Sequence, residues 1–300
     1  MSLTHPGSSP DPAAAAGVRK LGKHLGAEIT GLDASQGFSG EQAEFVRRAL
    51  DEHSVIVLRD QRLTPQQQCA VAEKIGVPRV SFFKDRSVPG AEMLTIVSNI
   101  VENGKPIGLM DAGALWHTDG SYLARPDMYT ILYAIQIPQR DGKALGPTWF
   151  ASTAAAYDQL DDGRKQRLQG MRAIHSLAHH VEKKRQANFA PPPVSDKQRP
   201  ADPEVSHPVV RTHPRTGRKC LYVTEGHTKA IEGMERGESD KLLSGLWSHI
   251  VQEEFLYRHE WRVGDLLMWD NCSTQHLAVT DYGDLPRRLH RAGISGDVPV

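Results

Sequence analysis

The chain has 300 residues, of which 39% are hydrophobic and 24% are charged, and this is enough to build a sizeable buried core. Its 36 basic side chains balance 36 acidic ones, so no net field attracts nucleic acid or an anionic membrane. The composition excludes a wholly disordered chain or a mini-protein. It also requires that any bound anion be held by a local cluster of charge.

The three cysteines, Cys69, Cys220 and Cys272, are far apart and form no CxxC pair. Their spacing argues against a disulfide scaffold and against a thiolate zinc site. No apolar run reaches the roughly 18 to 20 residues that span a bilayer, and the first residues lack the order of a signal peptide. We therefore predict a cytoplasmic protein with no membrane partner. Histidine occurs 14 times, and imidazole is a common ligand of divalent metals.

The first third of the chain predicts a tail followed by alternating strands and helices. Residues 1–16 are rich in proline and alanine and predict a disordered tail. A strand and turn over residues 27–32 precede a helix over residues 40–53 and a buried strand over residues 54–58. A second helix is predicted from the threonine cap Thr64 to Gly76.

From residue 93 onward, short apolar stretches separated by turn residues predict strands. They cover residues 94–97, 128–137, 148–150, 209–212, 220–223, 261–263, 266–269 and 291–294. Two helices, over residues 152–168 and about 237–255, interrupt them. Because these strands do not alternate with helices, we predict a mainly β fold with flanking helices and a double-stranded β-helix (jelly-roll) core. One domain is expected over residues 17–300, with residues 187–208 either disordered or a lid over the substrate.

The segment around His117 suggests a metal site. Positions two apart on an extended chain point to the same side, so His117 and Asp119 can reach one ion together. One such pair is expected by chance in a chain of this composition, and a turn histidine beside a solvated aspartate is the competing interpretation. A second pair, His180 with Glu182, lies in a charged, exposed-looking segment and is a weaker candidate. Four further histidines, His175, His207, His213 and His227, have no acidic partner at strand spacing and are interpreted as structural.

A second segment favours the metal interpretation. His276 follows a predicted strand, and Arg287 and Arg291 follow it by 11 and 15 residues. With the stretches at residues 56–61 and 64–67, these motifs resemble the taurine dioxygenase and 2,4-dichlorophenoxyacetate dioxygenase family of iron(II)- and 2-oxoglutarate-dependent oxygenases. The resemblance covers residues 25–297.

The resemblance implies a role for each matching residue. His117, Asp119 and His276 would form the facial triad that binds Fe(2+), leaving positions for 2-oxoglutarate and dioxygen (O2). Arg287 and Thr148 would hold the distal carboxylate of 2-oxoglutarate. Arg291 would contact the substrate anion or the other end of 2-oxoglutarate. The resemblance also implies a homodimer or homotetramer. The usual Gly-Gly-Asp before the threonine is replaced by residues 145–147, Leu-Gly-Pro, which puts the presentation of Thr148 in doubt.

The reaction implied is oxidative decarboxylation of 2-oxoglutarate to succinate coupled to hydroxylation of a small anionic organic substrate. Hydroxylation beside a sulfonate, sulfate ester or ether oxygen would cleave that bond. At the places where taurine dioxygenase has a histidine and a tyrosine, Ser81 and Lys84 stand here, which argues against taurine. Ser98 and Asn99 resemble the phenoxyacetate branch. With Lys84 they favour an apolar or aromatic body carrying a carboxylate, although a loop that packs its own aromatic residues explains this region equally well.

Two alternatives remain open from the residues alone. The same three ligands could hold another divalent ion in a cupin-like or hydrolytic site. Alternatively, the chain could be a catalytically silent jelly-roll protein that binds a small organic acid.

Overall fold

The computed structural model describes residues 16–80, 84–110, 112–189 and 204–300. The strands of these residues are β1 (Gly17–Lys20), β2 (Ala27–Thr30), β3 (Val55–Leu58), β4 (Pro78–Arg79), β5 (Ser87–Val88), β6 (Ala91–Ser98), β7 (Val101–Glu102), β8 (Lys105–Pro106), β9 (Asp127–Gln136), β10 (Gln139–Arg140), β11 (Lys143–Ala144), β12 (Thr148–Ser152), β13 (Arg172–His175), β14 (Val205–Pro208), β15 (Val210–Thr212), β16 (Lys219–Leu221), β17 (Thr228–Ile231), β18 (Leu256–His259), β19 (Leu266–Asp270), β20 (Thr274–Ala278) and β21 (Arg288–Ser295). The helices are α1 (Gly40–His53), α2 (Pro65–Ile75), α3 (Thr153–Asp158), α4 (Asp162–Leu168), α5 (Leu177–Gln186) and α6 (Arg236–Ile250).

Two sheets form the core. The larger one runs β1-β2-β3-β19-β9-β21-β6-β5, with β4 added on β21, and every pairing in it is antiparallel except that of β2 with β3. The smaller one runs β18-β12-β20. This mainly β architecture confirms the predicted jelly-roll core with flanking helices.

Strand alternation divides the large sheet between two cores. On β19, Leu267 and Trp269 point inward with Phe150 of the smaller sheet, whereas Leu266 and Met268 point outward to the helices α1 and α2. On β6, Val97 points inward, and Leu94 and Ile96 point outward. The odd-numbered residues of β6 and β19 therefore face the space between the two sheets.

Local signals located the first helices correctly. Ser39 caps α1 and Thr64 caps α2, each in a reciprocal capping box with the glutamine three residues later. Pro65 occupies the first turn of α2, and Gly76 follows its last residue. These four signals are contained within the segments themselves, so they do not depend on tertiary contacts.

Three predictions about elements need correction. Residues 261–263 are not a strand, and the strand of that region is β18. The side chain of Trp261 is buried, and its indole N–H donates to the hydroxyl of Thr148. The stretch 152–168 is two helices, α3 and α4. The segment 187–208 is not irregular throughout, because β14 occupies its end and pairs with β13.

Other predicted segments fall outside the description. The tail at residues 1–15 lies outside the described residues, as do residues 190–203 of the proposed lid. Among the residues that are described, no helix is both long and apolar enough to cross a membrane.

Candidate active site

Two histidines from opposite halves of the chain meet at β20, which is an edge strand of the smaller sheet. The backbone N–H of His117 donates to the carbonyl of His276 at 3.1 Å, and that of His276 donates back at 2.9 Å. Their ring centroids lie 4.1 Å apart. The carboxylate of Asp119 lies 3.7 Å from Nε2 of His117 and 3.9 Å from Nε2 of His276. The structure thus brings the three predicted ligands into one buried cluster whose donor atoms all lie within 4.8 Å of one another.

A chain of hydrogen bonds orients Asp119. The indole N–H of Trp269 and the amide N–H of Asp119 both donate to Oδ1 of Asn271, at 3.1 and 3.3 Å. Nδ2 of Asn271 donates to the hydroxyl of Thr130 at 3.0 Å, and that hydroxyl donates to Oδ2 of Asp119 at 2.6 Å. Supporting partners of this kind hold metal ligands in place.

Electrostatics keep Asp119 ionised. Burial alone would raise the pKa of its carboxyl, but the charge of Arg291 and the hydrogen bond from Thr130 lower that pKa far below its usual range. Arg291 contributes most of the lowering, with its Nη2 at 3.0 Å from Oδ1. The group is therefore an anion at neutral pH, which is the form that binds a divalent cation.

Both histidines are neutral. Burial lowers the pKa of His117 and takes that of His276 well below its ordinary value. Nδ1 of His117 lies 2.7 Å from the carbonyl of Leu115, so it carries the proton and leaves the Nε2 lone pair toward Asp119. Nδ1 of His276 is buried and has no hydrogen-bond partner among the described residues. Two neutral imidazoles and one carboxylate fit a divalent transition metal.

Arg287 is a buried guanidinium that lacks an acidic partner. Only 4% of the residue is exposed, and no carboxylate of the described residues lies within 4 Å of its charged nitrogens. Its Nη2 lies 3.5 Å from the carbonyl of Gly146, and its Nε has no hydrogen-bond partner among the described residues. Burial lowers the pKa of Arg287. A buried cation in this state fits the carboxylate of a ligand.

Thr148 is the first residue of β12, where it pairs with Ala278 two positions beyond His276. Its hydroxyl accepts from the indole N–H of Trp261 at 3.0 Å, which leaves its own proton to donate. Because Phe150, two positions later, pairs with His276, strand alternation places Thr148 on the same face of the sheet as His276.

A cavity of about 400 Å³ opens beside the ligand cluster. His117 and Asp119 lie in its wall, and so does Arg291. Most of the remaining wall is apolar, with Val80, Met93, Val97, Leu109, Met110 and Leu123 among its members. Thr148 and Arg287 do not line it, so the cavity and the Arg287 site are separate parts of one centre.

A row of charges connects the cavity wall to the protein surface. Arg291 bridges Asp119 and Asp127, with Nη2 at 3.1 Å from Oδ2 of Asp127. Nε of Arg79 lies 2.6 Å from the other oxygen of Asp127. Asp127 and Arg79, which both line the cavity, were missed from the sequence because these ion pairs join distant segments and have no local pattern.

The helix α5 supplies three more wall residues, Leu177, His180 and Lys184. The sequence-based view of this segment as exposed holds for Glu182 and Arg185 but is wrong for Lys184, which is only 3% exposed. His180 stacks on His227 with centroids 4.4 Å apart, and burial takes the pKa of His180 to about 3. His180 is thus a neutral ring beside the cavity, and Glu182 on the same helix is exposed.

The predicted substrate residues have other surroundings. Ser81 lies outside the described residues. Lys84 is exposed in a short 3-10 helix over Lys84–Arg86 and does not line the cavity. Ser98 and Asn99 do not line it either, because their side chains bind the backbone around Arg287. Arg79 and Lys184 are the cations that join Arg291 in the cavity wall.

Comparisons with known proteins identify the family of the chain. The family described as taurine catabolism dioxygenase TauD, TfdA family matches residues 17–292. This chain belongs to that family. It is 35% identical over 281 residues to the alpha-ketoglutarate-dependent 2,4-dichlorophenoxyacetate dioxygenase of Burkholderia sp. (strain RASC), covering 90% of this chain and 91% of the relative. It is 32% identical over 290 residues to the alkylsulfatase of Acinetobacter baylyi, covering 94% and 85%.

A solved structure extends the likeness to the fold. The structure of AAD-2 in complex with Mn(II) and N-oxalylglycine aligns with a TM-score of 0.78 at 31% identity, covering 95% of this chain and 98% of that one. As a member of the family, the protein is a dioxygenase that depends on alpha-ketoglutarate, which is 2-oxoglutarate.

The glycine of the Leu-Gly-Pro turn at residues 145–147 has a steric explanation. Gly146 has a φ of 71°, and a Cβ at this position would lie 2.9 Å from the ring of Tyr282 and 3.1 Å from Nε of Arg287. Its N–H donates to Oδ1 of Asp281 at 2.7 Å. Only glycine keeps the space beside Arg287 open, so the Leu-Gly-Pro turn preserves access to that guanidinium.

A second buried cluster contains His213, Asp270 and Cys272. Nδ1 of His213 accepts from the N–H groups of Arg215 and Thr216, so Nε2 carries the proton and donates to Asp270 at 2.7 Å. The nitrogen that faces the cluster is thus already used as a donor. We interpret this cluster as a structural hydrogen-bonded pair.

Proposed function

We propose that this protein is an iron(II)-dependent dioxygenase that hydroxylates a small organic anion with an apolar body. The observation that carries the proposal is the convergence of His117, Asp119 and His276 in one buried cluster. The buried guanidinium of Arg287, which has no carboxylate of the described residues within 4 Å, supports it. When bound, iron(II) supplies the redox chemistry with dioxygen that decarboxylates 2-oxoglutarate and hydroxylates a substrate carbon. The protein unit is proposed to span residues 17–300, because β1 and β21 belong to one sheet.

Each residue of the centre has a proposed task. His117, Asp119 and His276 hold the metal, and the hydrogen bonds to Asp119 keep its carboxylate in one orientation. Arg287 and Thr148 bind the distal carboxylate of 2-oxoglutarate as a planar cation and a hydroxyl donor. Because both groups are fixed by the sheet or buried, they bind 2-oxoglutarate with little loss of side-chain freedom.

Arg291 is proposed to place the anionic group of the substrate. It lies in the cavity wall between Asp119 and Asp127, so its guanidinium faces both the metal ligands and the substrate space. Arg79 and Lys184 add positive charge at the same wall. The apolar side chains opposite would bind the body of the substrate and exclude water from it.

The cavity supports an aryloxyalkanoate, an alkyl sulfate or a sulfonate as the substrate. Each has one anionic group and an apolar body, which matches the distribution of charge in the wall. The relatives named for 2,4-dichlorophenoxyacetate and alkyl sulfates support the same classes. Hydroxylation of the carbon bonded to the ether oxygen, the sulfate-ester oxygen or the sulfonate sulfur would be followed by cleavage of that C–O or C–S bond. The products would be an aldehyde or ketone together with a phenol, sulfate or sulfite.

The test is succinate release with iron(II), ascorbate and 2-oxoglutarate over a panel of aryloxyalkanoates, alkyl sulfates and sulfonates, with taurine as the comparison compound. We expect at least one amphipathic anion to stimulate succinate formation in step with its own loss, and taurine to be poor. A silent binding protein would give no succinate with any compound. It would also give no visible absorption band when mixed anaerobically with iron(II) and 2-oxoglutarate.

The location and assembly are further proposals. All three cysteines are free thiols, and Cys220 and Cys272 are buried, which supports the reducing environment of the cytoplasm. The homodimer or homotetramer expected from the family resemblance stays a prediction, which sedimentation of the purified protein would test.

A further inference from the structure

Two adjacent polar side chains bind the segment that carries Arg287. We call residues 279–287, between β20 and β21, the Arg287 loop. Nδ2 of Asn99 donates to the carbonyls of Gly283 at 3.2 Å and Leu285 at 3.0 Å, and its Oδ1 accepts from the N–H of Arg287 at 2.9 Å. Oγ of Ser98 donates to the carbonyl of Arg287 at 2.7 Å.

These contacts hold the backbone of Arg287 and leave its side chain available. Both backbone polar groups of this residue are bound by Ser98 or Asn99, whereas the one hydrogen-bond contact of its guanidinium with the described residues is that to Gly146 at 3.5 Å. A side chain that must meet a ligand is oriented best when its own Cα is fixed by neighbouring groups. The arrangement therefore restricts where the guanidinium can lie before any ligand arrives.

Strand alternation separates Ser98 from the substrate cavity. On β6, Met93, Thr95 and Val97 line the cavity. Ser98 follows in the opposite orientation, which is that of Leu94 and Ile96, and it pairs with Arg288 of β21. β6 therefore contributes Met93, Thr95 and Val97 to the cavity wall. Its last residue, Ser98, and the following Asn99 support the Arg287 loop.

The Arg287 loop also binds the turn at residues 145–147. Oδ1 of Asp281 accepts from the N–H of Gly146, and the ring of Tyr282 lies 5.7 Å from the guanidinium carbon of Arg287. By fixing Gly283 and Leu285, Asn99 holds the end of the loop on which Asp281 and Tyr282 lie. Loss of Asn99 would thus loosen both walls of the Arg287 site.

We propose that Asn99 and Ser98 are positioning residues for 2-oxoglutarate, because they fix the Arg287 loop by four side-chain-to-backbone hydrogen bonds. This inference rests on the proposed role of Arg287 as the residue that binds the distal carboxylate. It assigns Ser98 and Asn99 to the co-substrate and not to the primary substrate.

The experiment measures 2-oxoglutarate affinity by calorimetry on the Mn(II)-loaded protein, together with amide hydrogen exchange over residues 280–288. Asn99→Ala should weaken 2-oxoglutarate binding by about 10-fold, the scale seen when supporting partners of a site are removed, and should speed exchange in the loop. Ser98→Ala should act in the same direction by about threefold, because one of the four bonds is lost. With saturating 2-oxoglutarate, kcat and the KM of the primary substrate should stay within about twofold for both variants.

Asn103→Gly is the matched control. Asn103 is an exposed asparagine of the neighbouring β7–β8 hairpin, and its φ of 50° is acceptable to glycine. This variant should leave 2-oxoglutarate affinity and exchange in the loop unchanged. Ser98→Thr, which keeps the hydroxyl, should bind 2-oxoglutarate more tightly than Ser98→Ala.

Arg287→Gln distinguishes a failure of the positioning role of Asn99 and Ser98 from a failure of the proposed role of Arg287. If Arg287→Gln weakens 2-oxoglutarate binding and neither Asn99→Ala nor Ser98→Ala does, the positioning role is refuted and the role of Arg287 stands. If Arg287→Gln has no effect, the role of Arg287 itself fails. Equal losses in metal affinity, 2-oxoglutarate affinity and the KM of the primary substrate would show a merely structural role and overturn the proposal. Should Asn99→Ala not fold, Ser98→Ala carries the same comparison.

Discussion

The ligand cluster and the substrate cavity share His117 and Asp119, but they are built from different kinds of structure. In the ligand cluster, His276 lies on β20 and exchanges two backbone hydrogen bonds with His117, and Thr148 begins the neighbouring strand. The cavity wall combines the strand β6 with residues from the segments before Gly113, from residues 120–123 and from the helix α5.

Under the proposed function, the first region performs the reaction and the second selects the substrate. Paired strands hold side chains within narrow limits, which suits a metal site. Connecting segments tolerate sequence change, which suits specificity. Substitutions in the first region should therefore abolish or weaken the common reaction, whereas those in the second should change the choice of substrate.

The largest effect is expected from His276→Ala. It removes one of three ligands from a buried cluster, so turnover should fall by more than about 100-fold, since loss of supporting partners alone costs up to that much. Succinate release and metal content measure the result. His249→Gln on α6 is the control, because glutamine can still donate to the carbonyl of Ala156. Retention of activity by His276→Ala would remove this histidine from the metal site.

The next effect is expected from Arg287→Gln. It removes the charge that is proposed to bind the distal carboxylate, so the KM for 2-oxoglutarate should rise by about 10- to 100-fold, the scale of a lost charge-assisted hydrogen bond. The primary substrate should retain its KM. Steady-state kinetics with each substrate varied in turn measure both values, and equal activity at low 2-oxoglutarate would contradict the assignment.

Gly146→Ala tests the space beside Arg287. Its Cβ would lie 2.9 Å from the ring of Tyr282 and 3.1 Å from Nε of Arg287, so the KM for 2-oxoglutarate should rise severalfold. The positive φ adds a cost of about 1 to 2 kcal/mol to folding. Gly142→Ala carries the same kind of φ, 76°, with nothing within 4 Å of the new Cβ. The temperature of thermal unfolding should therefore fall in both variants, and further in Gly146→Ala because its Cβ also meets Tyr282 and Arg287, while only Gly146→Ala changes the KM.

The smallest effect on the use of 2-oxoglutarate is expected from Met110→Ala, in the cavity wall. Loss of an apolar contact should raise the KM for an aryloxyalkanoate by about 10-fold, as a trimmed hydrophobic pocket does, and leave the KM for 2-oxoglutarate within about twofold. Met234→Ala, in the outer cluster beside α6, is the matched control. An equal change in both KM values for Met110→Ala would contradict the separation of the two regions.

The same two regions differ in how far the sequence predicts them. The helices α1 and α2 and the strands β9 and β19 were predicted because capping residues and apolar runs are local signals. The three metal ligands were proposed from short motifs that match the family. Each of these features is encoded within a few consecutive residues.

The cavity was predicted poorly because its signals are not local. Lys184 looks like a solvated charge in its own segment, and its burial depends on the packing of α5 beside the cavity. Asp127 meets Arg79 and Arg291 only after the sheet forms. Ser98 and Asn99 were identified as important, but their contacts are made with a loop close to the other end of the chain.

The reciprocal backbone bonds between His117 and His276 also bear on how the protein matures. Since the two segments come from opposite halves of the chain, their meeting is a contact of high sequence separation, and such contacts are entropically expensive to form early. A metal that binds all three ligands would therefore bind chains in which His117 and His276 are already paired. Its binding free energy would add to the stability of the folded chain. The ion that serves the reaction would thus also stabilise the contact between the two halves.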